Sequence, residues 1–297
     1  MKADSVPLAR AASWQDLLEL GKPRISLMVA ITTAVGLLVA YSRTELTVTP
    51  WLVLATLTGT LLLSAGSSAL NMWLERDLDA RMARTRERPL PTGRVTPELA
   101  LAVGVAAGVI GTLVLVVWVN ALTALLGVFT MLAYVLVYTP LKTRTAWSTV
   151  VGAISGATPP LMGFTALQGT LELEAWPLFL ILYFWQLPHV FAIAWLHRED
   201  YGNAGFRTVA YRDTDGRRTA TATVATALLF CFAAWSPVPF GLAGAGYAAA
   251  AWGLSLSFFA CVCWFAVRRD RRSARVTMLA SVILLPLLLA ALVLDVL

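Results

Sequence analysis

Long apolar runs alternate with short polar stretches along almost the whole chain. Each run has roughly 20 residues, the length that an α-helix needs to cross the hydrocarbon layer of a bilayer. The pattern predicts an all-α, polytopic membrane protein, built as a bundle of nine transmembrane helices. Their approximate limits are 25–42, 51–71, 97–117, 119–138, 147–166, 177–197, 219–236, 241–267 and 275–294.

Residues 13–24 precede the first apolar run and predict a short amphipathic helix on the membrane surface. Ser13 is suited to the N-cap, with Asp16 at the third helical position as in a capping box. Gly21 and Pro23 are typical of a helix end. We therefore divide the chain into a cytoplasmic N-terminal segment, residues 1–24, and a single transmembrane domain, residues 25–297.

The charged residues set the orientation of the spans. Only 13% of the residues are charged and 58% are hydrophobic, whereas soluble domains carry roughly 25% charged residues. Of the 23 Lys and Arg residues, all but Arg43 fall in the N-terminal segment and in alternate loops. The positive-inside rule then predicts a cytoplasmic N-terminus and a C-terminus on the opposite side. Because the net charge of +6 lies in these loops, we expect no nucleic-acid partner.

Acids and arginines are interleaved in residues 71–94, directly after the second run. If the helix continues to residue 80, Asn71, Glu75 and Asp79 lie on one face, one turn apart, and Asp77 points away. Carboxylates suit Mg²⁺, which usually completes its shell with water and phosphate oxygens, and neighbouring arginines can bind the same polyanion. Simple pairing of the acids with the arginines is the alternative.

A second polar stretch closes the sixth run. On a helix Gln186, His189 and Asp200 share a polar stripe. His189 lies about two turns inside the membrane. An interhelical hydrogen bond, a ligand to a substrate's metal and a proton carrier are all open for this histidine.

The part of the chain between these two polar stretches contains a basic turn and a pair of prolines. Lys142 and Arg144 could hold a phosphate or could be orienting charges. Pro159 and Pro160 should break the fifth span, and broken helices in membranes usually line a cavity. We expect a central cavity that is open towards the cytoplasmic face.

These segments resemble the UbiA-type intramembrane prenyltransferases and, within them, the protohaem IX farnesyltransferase (haem O synthase) branch. The first is similar to the superfamily motif: Asn71-x3-Glu75-x-Asp77-x-Asp79-x2-Met82-x-Arg84-Thr85-x2-Arg88-Pro-Leu-Pro. The branch resemblance rests on Trp185-Gln186-x-Pro188-His189 and on Asp200-Tyr201-x2-Ala204-Gly205. Three features depart from the family: Glu75 replaces an Asp, Ser148 stands where an Asn is expected, and a basic stretch, residues 206–213, replaces an apolar one.

The resemblance implies the activity. A farnesyl group would pass from farnesyl diphosphate to a vinyl group of haem B, with addition of water, giving haem O for terminal oxidases. Mg²⁺ is the implied cofactor. The implied setting is the bacterial plasma (inner) membrane, with the lipid bilayer and with haem A synthase or oxidase assembly factors as partners.

The resemblance also implies roles for individual residues. The catalytic residues would be Asn71, Glu75, Asp77, Asp79 and Asp200, and the metal ligands Asn71, Glu75, Asp79 and Asp200. The diphosphate would be bound by Arg81, Arg84, Arg88, Lys142 and Arg144, and haem by Trp185, Gln186, His189 and Tyr201.

Three other functions compete with this one. A UbiA-type enzyme could instead prenylate an aromatic or quinone precursor, but the Trp185–His189 segment is not expected there. A transporter or channel would place its acids near the bilayer midplane rather than at the lips of the spans. A scaffold of oxidase assembly would have no need of the Asn71, Glu75 and Asp79 face.

Overall fold

The computed structural model describes residues 12–297, and within this range every regular element is helical. The elements in order are α1 (Trp14–Leu20), α2 (Pro23–Tyr41), α3 (Pro50–Asp79), α4 (Pro97–Trp118), α5 (Ala121–Leu132), a π-helical turn (Ala133–Tyr138), α6 (Thr139–Leu141), α7 (Ser148–Ala157), α8 (Pro159–Gln168), a 3₁₀ turn (Leu173–Ala175), α9 (Trp176–Leu196), α10 (Arg198–Ala204), α11 (Arg217–Trp235), α12 (Ala245–Arg268) and α13 (Arg271–Val296).

The predicted nine-span architecture is confirmed in the described part of the chain. Nine helical stretches are long and apolar enough to cross a membrane. The largest boundary difference is in α3, which runs on to Asp79, past the predicted end at residue 71. A polar residue ends an apolar run without ending the helix, so hydropathy locates the membrane boundary better than the helix boundary.

Helix α1 begins with the predicted capping box. Ser13 Oγ accepts a hydrogen bond from Asp16 N, and the Asp16 carboxylate accepts one from Ser13 N. Leu20 is fully buried in a cluster with Ala69 and Val95. Arg94, the last residue of the charged stretch 71–94, forms ion pairs with Asp16 and with Glu19. The helix is thereby fixed beside the C-terminal end of α3.

Small residues bring the spans into close contact. At the α3–α4 contact, a Cβ on Gly66 would lie 2.7 Å from Gly104 O. At the α2–α8 contact, a Cβ on Gly163 would lie 1.8 Å from Thr33 O. Membrane helices associate mainly through such close packing, because lipid tails are as apolar as the side chains. These contacts set the positions of α2, α3 and α8 around the interior.

Two spans are irregular. The fifth is broken between α7 and α8 at Thr158, directly before Pro159 and Pro160, as predicted. The fourth contains the π-helical turn Ala133–Tyr138 between α5 and α6. Pro188 lies inside α9, which stays helical on both sides of it.

Candidate functional site

Asn71, Glu75 and Asp79 form one buried row at the C-terminal end of α3. Their side chains follow at one-turn intervals, and the three residues are 1%, 5% and 1% exposed. Asp77 lies on another face, where its side chain is 80% exposed and 3.8 Å from Arg76 Nε. The sequence therefore identified the row, and it correctly separated Asp77 from it.

Each member of the row meets one cation from a different segment. Lys22 Nζ donates a hydrogen bond to Asn71 Oδ1 over 2.8 Å. Lys142 Nζ lies 2.7 Å from Glu75 Oε1. Arg88 donates from Nη1 to Asp79 Oδ2 over 2.7 Å. Burial of two carboxylates is tolerated because these cations neutralise them.

Two carboxylate oxygens of the row nevertheless lack a hydrogen bond. Asp79 Oδ1 is buried without a donor, and the contact of Glu75 Oε1 with Lys142 lacks hydrogen-bond geometry. A buried acceptor without a donor is costly, so Asp79 Oδ1 remains available to a cation. Glu75 Oε1 already contacts the Lys142 ammonium and would become available to a metal ion when Lys142 turns away. Two carboxylates and an amide oxygen are a donor set that fits Mg²⁺.

Asp200 does not join this row. Within residues 12–297, no three His, Cys, Asp or Glu side chains lie together in a metal-binding arrangement. Asp200 Oδ1 instead accepts a hydrogen bond from Ala83 N over 3.3 Å. The row therefore offers Asn71, Glu75 and Asp79, without the fourth predicted ligand.

The two lysines of the site differ in their acid–base behaviour. Burial lowers the pKa of Lys22 to about 7, and the nearby charges of Arg88 and Lys142 act in the same direction. Burial also disfavours the charged form of Lys142, but Tyr138 and Glu75 outweigh it and raise the pKa of this amine. The Lys142 ammonium also lies 4.6 Å from the centre of the Tyr138 ring. Lys142 is the more firmly charged of the two.

Lys22 is a site residue that the sequence reasoning missed. It stands in a left-handed conformation, with φ of 47°, between α1 and α2. The available signal was a lysine directly before the first span, followed by Pro23 and Arg24. The sequence indicates only an orienting charge at this position, because nothing local shows that the Lys22 amine reaches Asn71.

The loop after α3 and helix α10 contact each other beside the row, and we call them the two charged loops. Besides the contact of Asp200 with Ala83 N, Arg84 donates from Nη2 to the Tyr201 hydroxyl over 3.1 Å. The Arg84 guanidinium also lies 5.5 Å from the centre of the Tyr201 ring. Beneath these contacts Met82 packs with Ala204 and Phe206. The charged stretch after α3 and the polar stretch at the end of the sixth span are therefore joined.

The remaining predicted diphosphate ligands are more dispersed. Arg81 and Arg144 are exposed. The carbonyl of Arg144 accepts a hydrogen bond from Arg207 Nη1 over 3.4 Å, and Arg207 N donates to Lys142 O over 2.7 Å. The basic stretch after Gly205 thus contacts the turn that carries Lys142. Of the five predicted diphosphate ligands, Arg88 and Lys142 contact the row.

A cavity of about 570 Å³ adjoins the row on the membrane side. Ser67 lines the cavity one helical turn before Asn71, and Tyr138, which also lines it, directly precedes Thr139. Asn71 Nδ2 donates to Thr139 Oγ1 over 3.1 Å. Most of the other lining side chains are apolar or carry a hydroxyl group. The polar row and the cavity therefore share a boundary.

Trp185, Gln186 and His189 line the same cavity from α9. The His189 and Trp185 rings are stacked with centroids 5.2 Å apart. His189 Nδ1 is 2.7 Å from Ser281 Oγ on α13, and Trp185 Nε1 donates to Ser281 O over 2.8 Å. Gln186 donates to Ala153 O on α7 over 2.8 Å. His189 thus forms the interhelical hydrogen bond that was one of the three roles considered for it from the sequence. Its side chain also borders the cavity.

Comparison with known proteins identifies the family. The model of the UbiA prenyltransferase family matches residues 29–290. The chain belongs to the UbiA prenyltransferase family. It is thus a prenyl-transferring enzyme and a multi-pass integral membrane protein, and the resemblance seen in the sequence motifs is confirmed.

Curated relatives within the UbiA family share most of the chain. A protein of Solibacter usitatus (strain Ellin6076) is 39% identical over 291 residues, which cover 95% of this chain and 98% of the relative. One from Anaeromyxobacter dehalogenans (strain 2CP-C) is 45% identical over 249 residues, covering 83% and 82%. Both bear the name protoheme IX farnesyltransferase.

Solved structures of other proteins share the fold at low identity. A digeranylgeranylglyceryl phosphate synthase superposes with a TM-score of 0.79 at 15% identity, over 95% of this chain and 98% of that one. A UbiA homologue from Archaeoglobus fulgidus, bound to DMAPP and Mg²⁺, gives a TM-score of 0.65 at 15% identity, over 93% and 99%. The bundle of nine candidate spans within residues 12–297 therefore has the UbiA fold.

Proposed function

We propose that this UbiA protein transfers a farnesyl group from farnesyl diphosphate to a vinyl group of haem B, with addition of water, to give haem O. The observation that carries the proposal is the buried row Asn71, Glu75 and Asp79, matched by three cations and bordering an apolar cavity. The relatives named protoheme IX farnesyltransferase support the choice of both substrates.

The row would bind the diphosphate end of the prenyl substrate. Asn71, Glu75 and Asp79 would hold Mg²⁺, which when bound supplies charge stabilisation to the departing diphosphate. Lys22, Lys142 and Arg88 would then turn from the row to the diphosphate oxygens. Cations fixed in a buried site stabilise developing negative charge strongly, because they need little reorganisation.

The two joined loops would cover this end of the site. Arg84, Tyr201 and Asp200 connect the loops, and we assign them to closure over the diphosphate. Arg81 and Arg144 are exposed cations, so we assign them to capture of the anionic substrate from the cytoplasm. Asp77 is exposed beside Arg76, away from the row, and we assign it no contact with the diphosphate.

The cavity would hold the farnesyl chain and the reacting part of haem. Its apolar walls would keep water from the allylic cation until the vinyl group has attacked. Trp185, Gln186 and His189 would contact haem, since they form the polar part of the α9 wall. His189 is held in place by Ser281, which would fix its ring towards the porphyrin.

The same proposal covers domains, location and partners. We assign residues 1–24 to a cytoplasmic segment, of which residues 1–11 lie outside the described structure, and residues 25–297 to one transmembrane domain. We place the protein in the bacterial inner membrane with its C-terminus opposite the cytoplasm and its cavity open towards the cytoplasm. Haem A synthase or oxidase assembly factors would be its protein partners.

A product assay tests the reaction. The purified protein in detergent would be incubated with haem B, farnesyl diphosphate and Mg²⁺, and the haem analysed by chromatography and mass. We expect haem B to gain a farnesyl group and water. EDTA should abolish the product, and Asp79→Asn should lower its rate at least about a hundredfold.

Glu87→Gln is the matched control, because it removes the same charge from an exposed carboxylate of the same loop. It should leave the rate unchanged. If haem B stays intact while an aromatic acceptor is prenylated, the haem assignment is wrong. If neither acceptor reacts, the proposed reaction fails.

A further inference from the structure

A second concave site lies at the cytoplasmic ends of α11 and α12. It has a volume of about 410 Å³ and is lined by Arg217, Ala220, Thr221, Val224, Ala225, Ala266 and Arg269. We call it the α11–α12 groove. None of these residues lines the large cavity, so the groove is separate from the proposed reaction site.

The groove has a basic mouth. Arg217 is the first residue of α11, and Arg269 follows the last residue of α12. Gly216 brings the two ends together, since a Cβ built on it would lie 3.2 Å from Arg269 Cβ. The acid nearest the mouth is Asp215, which lies 3.1 Å from Arg217 Nε. Both partners of that pair are more than half exposed, and such pairs contribute little.

The surroundings add further positive charge. Residues 213–218 and 268–275 contain seven arginines and three aspartates. Asp213 accepts hydrogen bonds from Thr219, and Asp270 accepts one from Ser273 N, so both aspartates are engaged at helix starts. Asp270 also pairs with Arg268, as Asp215 does with Arg217. Seven arginines against three aspartates still leave a net positive charge around the mouth.

Below the mouth the groove is lined mainly by small apolar side chains. Ala220, Val224 and Ala225 follow one face of α11, and Ala266 faces them from α12. These residues belong to two helices that are apolar enough to span the membrane. A cationic entrance above apolar walls matches an anionic headgroup joined to an acyl chain, and basic pockets between membrane helices on the cytoplasmic side bind such lipids.

We propose that the α11–α12 groove binds one anionic phospholipid of the cytoplasmic leaflet. Arg217 and Arg269 bind its phosphate, because guanidinium groups form paired hydrogen bonds with phosphate oxygens. One acyl chain lies along Ala220, Val224, Ala225 and Ala266. The bound lipid joins the cytoplasmic ends of α11 and α12 on the side of the bundle away from the reaction cavity.

Native mass spectrometry of the full chain tests this site. The protein would be transferred from detergent with added phosphatidylglycerol or, separately, phosphatidylcholine of the same acyl chains. We expect one phosphatidylglycerol to be retained preferentially. Arg217→Gln with Arg269→Gln should weaken its retention about thirtyfold, since each surface cation contributes roughly a factor of five.

Two further variants separate the groove from general surface charge. Arg218→Gln with Arg272→Gln removes the same charge from exposed positions outside the groove and should leave retention unchanged. Ala225→Phe fills the groove without changing charge and should lower retention of phosphatidylglycerol. Unchanged thermal unfolding in detergent alone would show that each variant is folded.

Three outcomes would overturn the proposal. Equal losses in the two double-arginine variants would mean diffuse attraction to the cytoplasmic surface. Equal retention of phosphatidylcholine and phosphatidylglycerol would remove the anionic specificity. Displacement of the lipid by inorganic phosphate at millimolar concentration, with no effect of Ala225→Phe, would mean an anion site without a lipid chain.

Discussion

At the scale of single residues, the site is a set of buried oxygens whose partners come from distant parts of the chain. The spacing of Asn71, Glu75 and Asp79 could be read from the sequence, because helical periodicity is local. The pairing of Lys22 with Asn71 could not, since it depends on how α1, α2 and α3 pack. The same holds for the contact of Asp200 with Ala83, which tertiary packing alone determines.

Lys22→Gln should weaken binding of the prenyl diphosphate. It removes a charge-assisted hydrogen bond, which typically contributes ~1.5–3 kcal/mol, so we expect a roughly tenfold to hundredfold higher Kd. Calorimetric titration with a non-reactive thiodiphosphate analogue in the presence of Mg²⁺ would measure it. Arg86→Gln removes an exposed cation from the neighbouring loop and should leave the Kd unchanged. Equal Kd values for Lys22→Gln and the unaltered protein would remove Lys22 from the site.

At the scale of elements, caps and glycines fix where helices begin and how closely they pack. The helix break before Pro159 could be predicted, because proline pairs have a direct effect on the backbone. The π-helical turn Ala133–Tyr138 could not, since its residues are equally compatible with an α-helix. The predicted row requires α3 to continue to Asp79, and the structure shows that it does.

Gly163→Ala should destabilise the α2–α8 contact. Its new Cβ would meet Thr33 O, a backbone atom that cannot turn aside, and such overpacking costs about 1–3 kcal/mol or more. Thermal unfolding in detergent should show a lower midpoint. Gly253→Ala is the control, because nothing lies within 4 Å of its Cβ position. A Gly163→Ala midpoint equal to that of the control would mean that α2 and α8 pack less closely than described.

Ser13→Ala should loosen α1. Losing an N-cap side chain typically costs ~1 kcal/mol, so we expect amide hydrogen exchange in α1 to rise roughly fivefold. The hydrogen bonds from Ser13 also hold the pKa of the Asp16 carboxyl below its usual range. The contribution of this carboxylate is therefore present at neutral pH and is lost as the pH falls through the lowered pKa. Thr96→Ala, at the N-cap of α4, should raise exchange only there. Unchanged exchange in α1 would show that its packing, rather than its cap, holds it.

At the scale of the whole molecule, the distribution of charged residues in the sequence and the contacts in the structure group the same loops at one end of the bundle. Arg43, the cation that stands apart from the other 22, forms an ion pair with Glu174 and donates a hydrogen bond to Gly241 O. These three residues belong to three different loops on one end of the bundle. Sequence counting could predict their common side, although it could not predict that they touch.

Cysteine labelling should show opposite accessibility at the two ends. In a variant whose three native cysteines are replaced by alanine, Glu87→Cys should react with a membrane-impermeant maleimide only after cells are opened. Thr170→Cys should react in cells with an intact inner membrane and a permeabilised outer membrane, because the positive-inside rule places it outside the cytoplasm. The reverse pattern would invert the proposed orientation of the site.

The π-helical turn makes the site sensitive to a one-residue change in chain length. Each added or removed residue rotates the following α-helical segment by about 100°. Lys142 and Thr139 follow the turn and depend on this rotation for their contacts with Glu75 and Asn71. A single-codon insertion within Ala133–Tyr138 would leave the hydropathy of the span almost unaltered while carrying the lysine out of phase with the carboxylate, because a turn that is already wide does not absorb another residue. We expect a protein with this change to insert into the membrane but to lose the contact of Lys142 with Glu75, although the hydropathy of its spans would look ordinary.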